Sequence, residues 1–269
     1  MSGQDVIRAV LQTLDRFNPV RLALGVGTVL AAAVALIVVL VSGSGAERLP
    51  DFAAIDDIPA RKQAFFSYLA PYVQAENARV LERRARLEGI AERLDSGRLA
   101  GWRDRRWLDR LAAEYEIQWD PEAPREGIEQ LLRRVDSVPV ALALVQAAAE
   151  SGWGRSRFAV EGNNLFGHWC YEPGCGLVPE QRAAGAGHEV AAFGSVRDSV
   201  ARYIHNLNTH PAYEPLRRIR ARLRRAGRTP GAMALADGLV MYSERREDYV
   251  EEVKNVIETN RPIIHEVLQ

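Results

Sequence analysis

Between residues 59 and 135 the apolar positions Phe66, Leu69, Val73, Val80, Leu87, Ile90 and Leu94 recur at three-, four- or seven-residue steps among charged residues. That spacing predicts amphipathic helix, and Pro71 inside it marks a helix start or a kink. Trp102, Trp107, Leu108, Leu111 and Tyr115 continue the habit in a second helix; the heptads are too few to favour a coiled coil. Then the pattern changes. Val138 to Ala149 reads V-P-V-A-L-A-L-V-Q-A-A-A, apolar on nearly every side with only Gln146 polar. Pro139 suits a first helical turn, and a helix of this kind belongs at the centre of a fold. From 176 to 194 Gly and Ala are interspersed with short Val and Phe patches, the place for a small sheet or lobe. Helical periods resume from Val196 to His210 and again from Arg217, Met233 and Asp248. The expected class is α+β, predominantly helical, without internal repeats.

A second kind of apolar run lies near the start. Leu22 to Val41 is 20 uncharged residues of Leu, Ala, Val, Ile, Gly and Thr, and as a helix it spans about 30 Å, one hydrocarbon core. A cleaved signal peptide competes with this reading, since Ser42-Gly43-Ser44-Gly45-Ala46 offers small residues to a peptidase. The run nevertheless exceeds the usual apolar region of a signal peptide, about 7–15 residues. Arg8, Arg16 and Arg21 outnumber Asp5 and Asp15 ahead of it, which keeps the leader cytoplasmic and exports everything after residue 42.

Composition narrows the partners. The 269 residues carry 35 basic and 35 acidic side chains, and a net charge of zero argues against a general nucleic-acid binder. Arg217 to Arg228 nevertheless holds seven arginines and no acid; it reads as a solvated helix face, or as a contact for anionic polymers or lipid headgroups. The five histidines (168, 188, 205, 210 and 265) show no ligand spacing, so neither a metal nor another cofactor is expected. Cys170 and Cys175, spaced C-x4-C, can close a small loop in an oxidising compartment; two free buried thiols are the alternative.

Candidate chemistry begins at Glu150, which closes the apolar helix and runs into Ser151-Gly152-Trp153-Gly154. Gln146 and Leu142 lie four and eight residues before it, so all three share one side of the helix and Glu150 faces the interior or a cleft. Desolvation and the negative end of the helix dipole both disfavour the carboxylate, raising its pKa as a general acid requires. The bland alternative is a last-turn Glu pointing to water. Further on, Asn163-Asn164-Leu165-Phe166-Gly167-His168-Trp169 packs amides, aromatics and glycine together without strand or helix period. That mixture suits a sugar-binding wall, and equally a turn with a few core aromatics.

Together, Ala143 to Ser156 and Asn163 to Gly167 resemble the signature of glycoside hydrolase family 73, the peptidoglycan N-acetylglucosaminidases, and more closely the bacterial Bax-type proteins of that superfamily. The resemblance continues in His188 to Ser195 with Asp198-Ser199, and ends around Met241-Tyr242-Ser243 and Tyr249. The Bax-type likeness begins near Leu49 and takes in Lys62 to Phe66 and Trp102 to Trp107. It implies a lysozyme-like core with the acid at the end of a buried helix and a small β-lobe facing it. It also implies that Glu150 protonates the glycosidic oxygen and that Tyr242 lines the cleft. The chain departs from the family's Tyr-Ala-Thr-Asp-Pro-x-Tyr, reading Tyr242-Ser243-Glu244-Arg245-Arg246-Glu247-Asp248-Tyr249; Tyr242 as a packing aromatic at a loop edge is the competing reading. Asn164, Phe166, Gly167, Trp169 and Tyr249 form the candidate substrate-binding set. Glu189 is the first candidate for a second catalytic acid, with Glu161 and Glu172 behind it; in a substrate-assisted mechanism the acetamido oxygen attacks and no protein nucleophile is needed.

The division expected is a cytoplasmic leader (1–21), a transmembrane anchor (22–41), a linker (42–58), a helical subdomain (59–135) and a glucosaminidase-like catalytic domain (136–269). The protein would then sit in the inner membrane by a single pass, facing the periplasm and its peptidoglycan strands. A lytic transglycosylase or muramidase is the runner-up, and a catalytically silent wall-binding scaffold the third reading.

Overall fold

The computed structural model describes residues 49–97, 101–180 and 187–269. The leader, the anchor (22–41) and residues 42–48 of the linker lie outside these; among the described residues no helix is long and apolar enough to cross a membrane. Arg48–Gln269 form one compact unit, in which helices before and after residue 136 share a single core.

The first helix, α1 (Ile58–Asp95), has 38 residues, a span of about 57 Å at 1.5 Å per residue. Asp57 caps it, accepting the Ala60 N–H at 2.8 Å, and Pro59 stands in its first turn. Pro71 does not start the helix but lies inside it. Ser67, the residue four before Pro71 whose carbonyl loses its helical donor, is exposed, so water can satisfy that oxygen, while Phe65, Phe66, Leu69 and Val73 on the opposite side are fully buried. Along this spine pack α2 (Trp102–Glu114), α3 (Pro124–Arg134), α4 (Val140–Ser151) and α5 (Arg157–Gly162). A three-stranded antiparallel sheet follows: β1 (Trp169–Cys170), β2 (Gly176–Leu177) and β3 (Glu189–Ala191), ordered β1-β3-β2. The register pairs Trp169 with Val190 and Leu177 with Val190 from either side. The chain ends in α6 (Val196–Thr209), α7 (Glu214–Arg225), α8 (Ala232–Ala236), α9 (Glu247–Thr259) and α10 (Arg261–Val267). The described part is thus predominantly helical α+β with one small sheet.

The central helix α4 is buried from Leu142 to Ala148, as its near-continuous apolar sequence demands. Its start is held by the buried amide of Asn77, which donates to the Val138 carbonyl at 2.7 Å and accepts the Val138 N–H at 2.9 Å. Beside it lies Asp136, 2% exposed, within ion-pair reach of Arg84, Arg220 and Arg224. These arginines also close the end of α3: Arg84 donates to the carbonyls of Leu132 and Val135, Arg220 to those of Arg133 and Arg134. Four last-turn oxygens that a helix leaves unpaired are thereby satisfied. The arginine run is therefore not simply a solvated face. Arg217 and Arg220 turn inward at 5% and 1% exposure, because 217, 220 and 224 fall on one side of α7 and 218, 222 and 225 on the other.

Candidate active site

The turn after α4 is built to end a buried helix abruptly. Gly152 caps it at φ +57°, Trp153 follows at φ +63° and Gly154 at φ +76°. Three consecutive residues in the left-handed region cost an L-residue such as Trp153 about 1–2 kcal/mol. Packing holds it there: the Trp153 ring lies against Phe65 and Phe66, with Lys62 Nζ 5.1 Å above it. Ser151, fully buried, donates to the Ala147 carbonyl at 2.6 Å and accepts the Gly154 N–H at 2.8 Å. Glu150 is left on the last turn with its carboxyl group beside the turn that contains Gly167.

A row of polar side chains inside the core ends on that carboxyl group. Tyr203 donates its hydroxyl proton to Gln146 Oε1 at 2.7 Å. Gln146 Nε2 donates to the Tyr249 oxygen at 3.0 Å, and Tyr249 donates to Glu150 Oε1 at 3.0 Å. Each donor is committed in turn, so Oε1 of Glu150 is an acceptor and the proton of the neutral acid belongs on Oε2. Oε2 faces Gly167: a Cβ built on that residue, whose φ is +67°, would lie 3.3 Å from it. Glycine answers both the backbone conformation and the free approach to the acidic proton.

Electrostatics agree with this assignment. Glu150 is an exposed residue, yet the protein packed around its carboxyl group withholds enough water to raise its pKa. The Tyr249 hydrogen bond and the charge of Arg245 oppose that rise, and Glu252 adds to it. The aromatic surround is neutral: burial and the Glu150 charge push Tyr213 up to about 12 and Tyr249 well above the ordinary tyrosine value.

The candidate site residues fall into distinct places. Tyr242 stacks on Tyr249 at 5.4 Å, nearly parallel, and donates to the Phe166 carbonyl at 3.0 Å, so it fastens the segment carrying Gly167. Tyr249, read from sequence as a sugar contact, is 2% exposed with its hydroxyl on the acid. Phe166 is equally buried, its ring stacked on Tyr203 at 4.0 Å. Asn164 is a backbone clamp: its Nδ2 donates to the carbonyls of His168 and Ala191, and its Oδ1 accepts the His168 N–H. Trp169 is 49% exposed on β1, edge-on to His188 at 4.6 Å. Glu189 is buried, and its two carboxylate oxygens accept the N–H groups of Gly174 and Gly176 at 3.1 and 2.8 Å. These bonds hold the loop closed by the Cys170–Cys175 disulfide. Glu161 pairs with Arg157 on α5, and Glu172 sits exposed in the disulfide loop. The two sulfurs and Glu189 lie together, but sulfurs bonded to each other offer no thiolate to a metal.

Gln146, Tyr203, Tyr213 and Arg245 were not among the candidate residues. Gln146 did carry a signal, as the one polar residue in an apolar helix, one turn before the acid.

Residues 126–262 match the glucosaminidase family model, described as mannosyl-glycoprotein endo-beta-N-acetylglucosaminidase. The chain belongs to the glucosaminidase family. It is also 35% identical over 201 residues to Protein bax of Escherichia coli (strain K12), covering 75% of this chain and 70% of that protein. No solved structure matches it. The family match spans α4, the Asn164–Gly167 turn, the sheet and Tyr249, so a glycosidase domain contains every residue of the polar row.

Proposed function

We propose that the protein is a glycoside hydrolase that cuts the β-1,4 bond of N-acetylglucosamine in peptidoglycan, with Glu150 as general acid. The observation that carries this reading is the raised pKa of Glu150 combined with an Oε2 that faces the open side of Gly167. A carboxyl group with a raised pKa, its second oxygen turned to the glycine, is what protonation of a glycosidic oxygen calls for. An acid at the end of a buried helix beside a small sheet is also the arrangement of a lysozyme-like cleft.

The substrate-assisted route fits these residues best, because Glu189 is engaged by two backbone N–H groups of the disulfide loop. Glu150 gives its Oε2 proton to the leaving oxygen as the C1–O bond breaks and the substrate's acetamido oxygen bonds to C1. Water then bonds to C1 as the C1–O bond to the acetamido oxygen breaks, the acetamido group is restored, and the water's proton passes to Glu150. Tyr249 fixes which oxygen holds the proton, Tyr242 holds the Phe166 carbonyl in place, and Trp169 offers an exposed ring for a sugar to stack on. With the run 22–41 as anchor, this chemistry belongs on the outer side of the inner membrane.

The test is mass spectrometry of fragments released from purified peptidoglycan by the protein and by Glu150→Gln. New reducing N-acetylglucosamine ends, formed about 10²–10⁴-fold more slowly by the variant, are expected. Anhydro-muramyl or reducing muramyl ends would make it a transglycosylase or muramidase. Glycan binding without turnover would make it a scaffold.

A further inference from the structure

A hollow of about 530 Å³ opens between the start of α1, the turn after α4 and the length of α9, from Asp248 to Asn260. It adjoins the acid. Trp153 in its wall follows Glu150 by three residues, and two of its charges, Arg245 and Glu252, act on the Glu150 carboxyl group. Lys62, Asp248 and Glu251 complete an ionisable lining of two cations and three anions around the Trp153 indole. Arg245 and Glu252 pair with each other at 2.5 Å. Lys62, Asp248 and Glu251 have no ion-pair partner among the described residues; Lys62 only rests over the Trp153 ring.

A bare strand of N-acetylated sugars carries no charge and gives nothing to offset the desolvation of such groups. In peptidoglycan the charges are confined to short peptides borne on the lactyl ether of every second sugar, and these peptides carry free carboxylates and an amine. Cleavage on the reducing side of N-acetylglucosamine makes the peptide-bearing sugar the leaving group, so its branch emerges next to the acid. The volume lies within the range of sites that enclose a small ligand, about 300–1,000 Å³.

We propose that this hollow is the subsite for the peptide branch, with Lys62 facing a branch carboxylate and Asp248 with Glu251 facing its amine. The proposal rests on the glycosidase reading above and gives it a substrate preference: strands that still carry their peptides over strands stripped of them.

The experiment compares KM and kcat on peptide-bearing strands and on strands stripped by an amidase. It uses the unaltered protein, Lys62→Ala and the double variant Asp248→Asn/Glu251→Gln. Expected is a KM lower by about fivefold or more for peptide-bearing strands, an advantage both variants lose while kcat and turnover of stripped strands stay unchanged. Equal KM for the two strands in the unaltered protein, or variants that alter both alike, overturns the subsite. Calorimetric binding of peptide-bearing and peptide-free oligosaccharides to Glu150→Gln, with and without Lys62→Ala, separates this failure from that of the glycosidase reading. Without any turnover, a binding preference removed by Lys62→Ala still supports the subsite, and equal binding refutes it.

Discussion

The central helix α4 has a carboxyl group at each end, Asp136 buried and Glu150 exposed but partly desolvated, and their surroundings make opposite things of them. Burial alone would raise the pKa of both. At Asp136, just ahead of the helix, that rise is overcome by Arg220, Arg224 and Arg84, which hold the group below the usual carboxylate range. At Glu150, on the last turn, burial prevails over a neutral tyrosine hydroxyl and one arginine, helped by the like charge of Glu252. The helix dipole runs the same way, favouring an anion at the first end and disfavouring it at the second. Whether a partly desolvated carboxyl group is held charged or has its pKa raised follows from the number and sign of the charges around it.

Replacing Asp136 by Asn should break the first half of the comparison most severely. It leaves Arg220 buried without its anion, and loss of one partner of such a pair costs about 3–5 kcal/mol, read as a lower denaturation midpoint with kcat per folded molecule unchanged. Glu150→Gln should do the reverse, abolishing turnover at nearly constant midpoint.

His168 sharpens the comparison as a sheltered group with no counter-charge. Burial and the charge of Arg202 take it from 6.5 to about 4, and its Nε2 is buried without a hydrogen-bond partner among the described residues. The unfolded chain therefore binds the extra proton between these values, so stability is complete above pH 6.5 and falls as pH drops to about 4. Two and a half units at 1.36 kcal/mol each give a loss of roughly 3 kcal/mol. Denaturant titrations of the protein and of His168→Phe across that range should converge at pH 7 and differ in slope below it.

The smallest change is expected from Tyr249→Phe. The stack on Tyr242 survives, while the hydrogen bond that restrains the Glu150 pKa is lost, so the basic limb of the pH–rate profile moves to higher pH. A limb that stays in place or moves down would show that Tyr249 does not act on the acid.

Much of α4 was legible beforehand, since a run with one polar residue in twelve can only be a central helix, and the period put Gln146 on the side of Glu150. Spacing also predicted the helix from Val196 and allowed the Cys170–Cys175 loop, leaving two free thiols as the alternative that the disulfide rules out. What the chain concealed were duties assigned from afar. Tyr249 meets Glu150 across 99 residues of sequence, and Asn164 and Glu189 address backbone groups that no residue pattern announces. The arginines of α7 misled through composition, because seven like charges obscure the helical period that turns Arg217 and Arg220 inward.

The loop between Cys170 and Cys175 begins where the exposed ring of Trp169 ends. Beyond the disulfide it is held by the Gly174 and Gly176 N–H groups on Glu189, by the Ala192 N–H donating to the Cys175 carbonyl, and by the pairing of β1 and β2 with β3. Reducing the disulfide should therefore slacken the rim that presents Trp169 while the helical core, which carries no cysteine, keeps its packing.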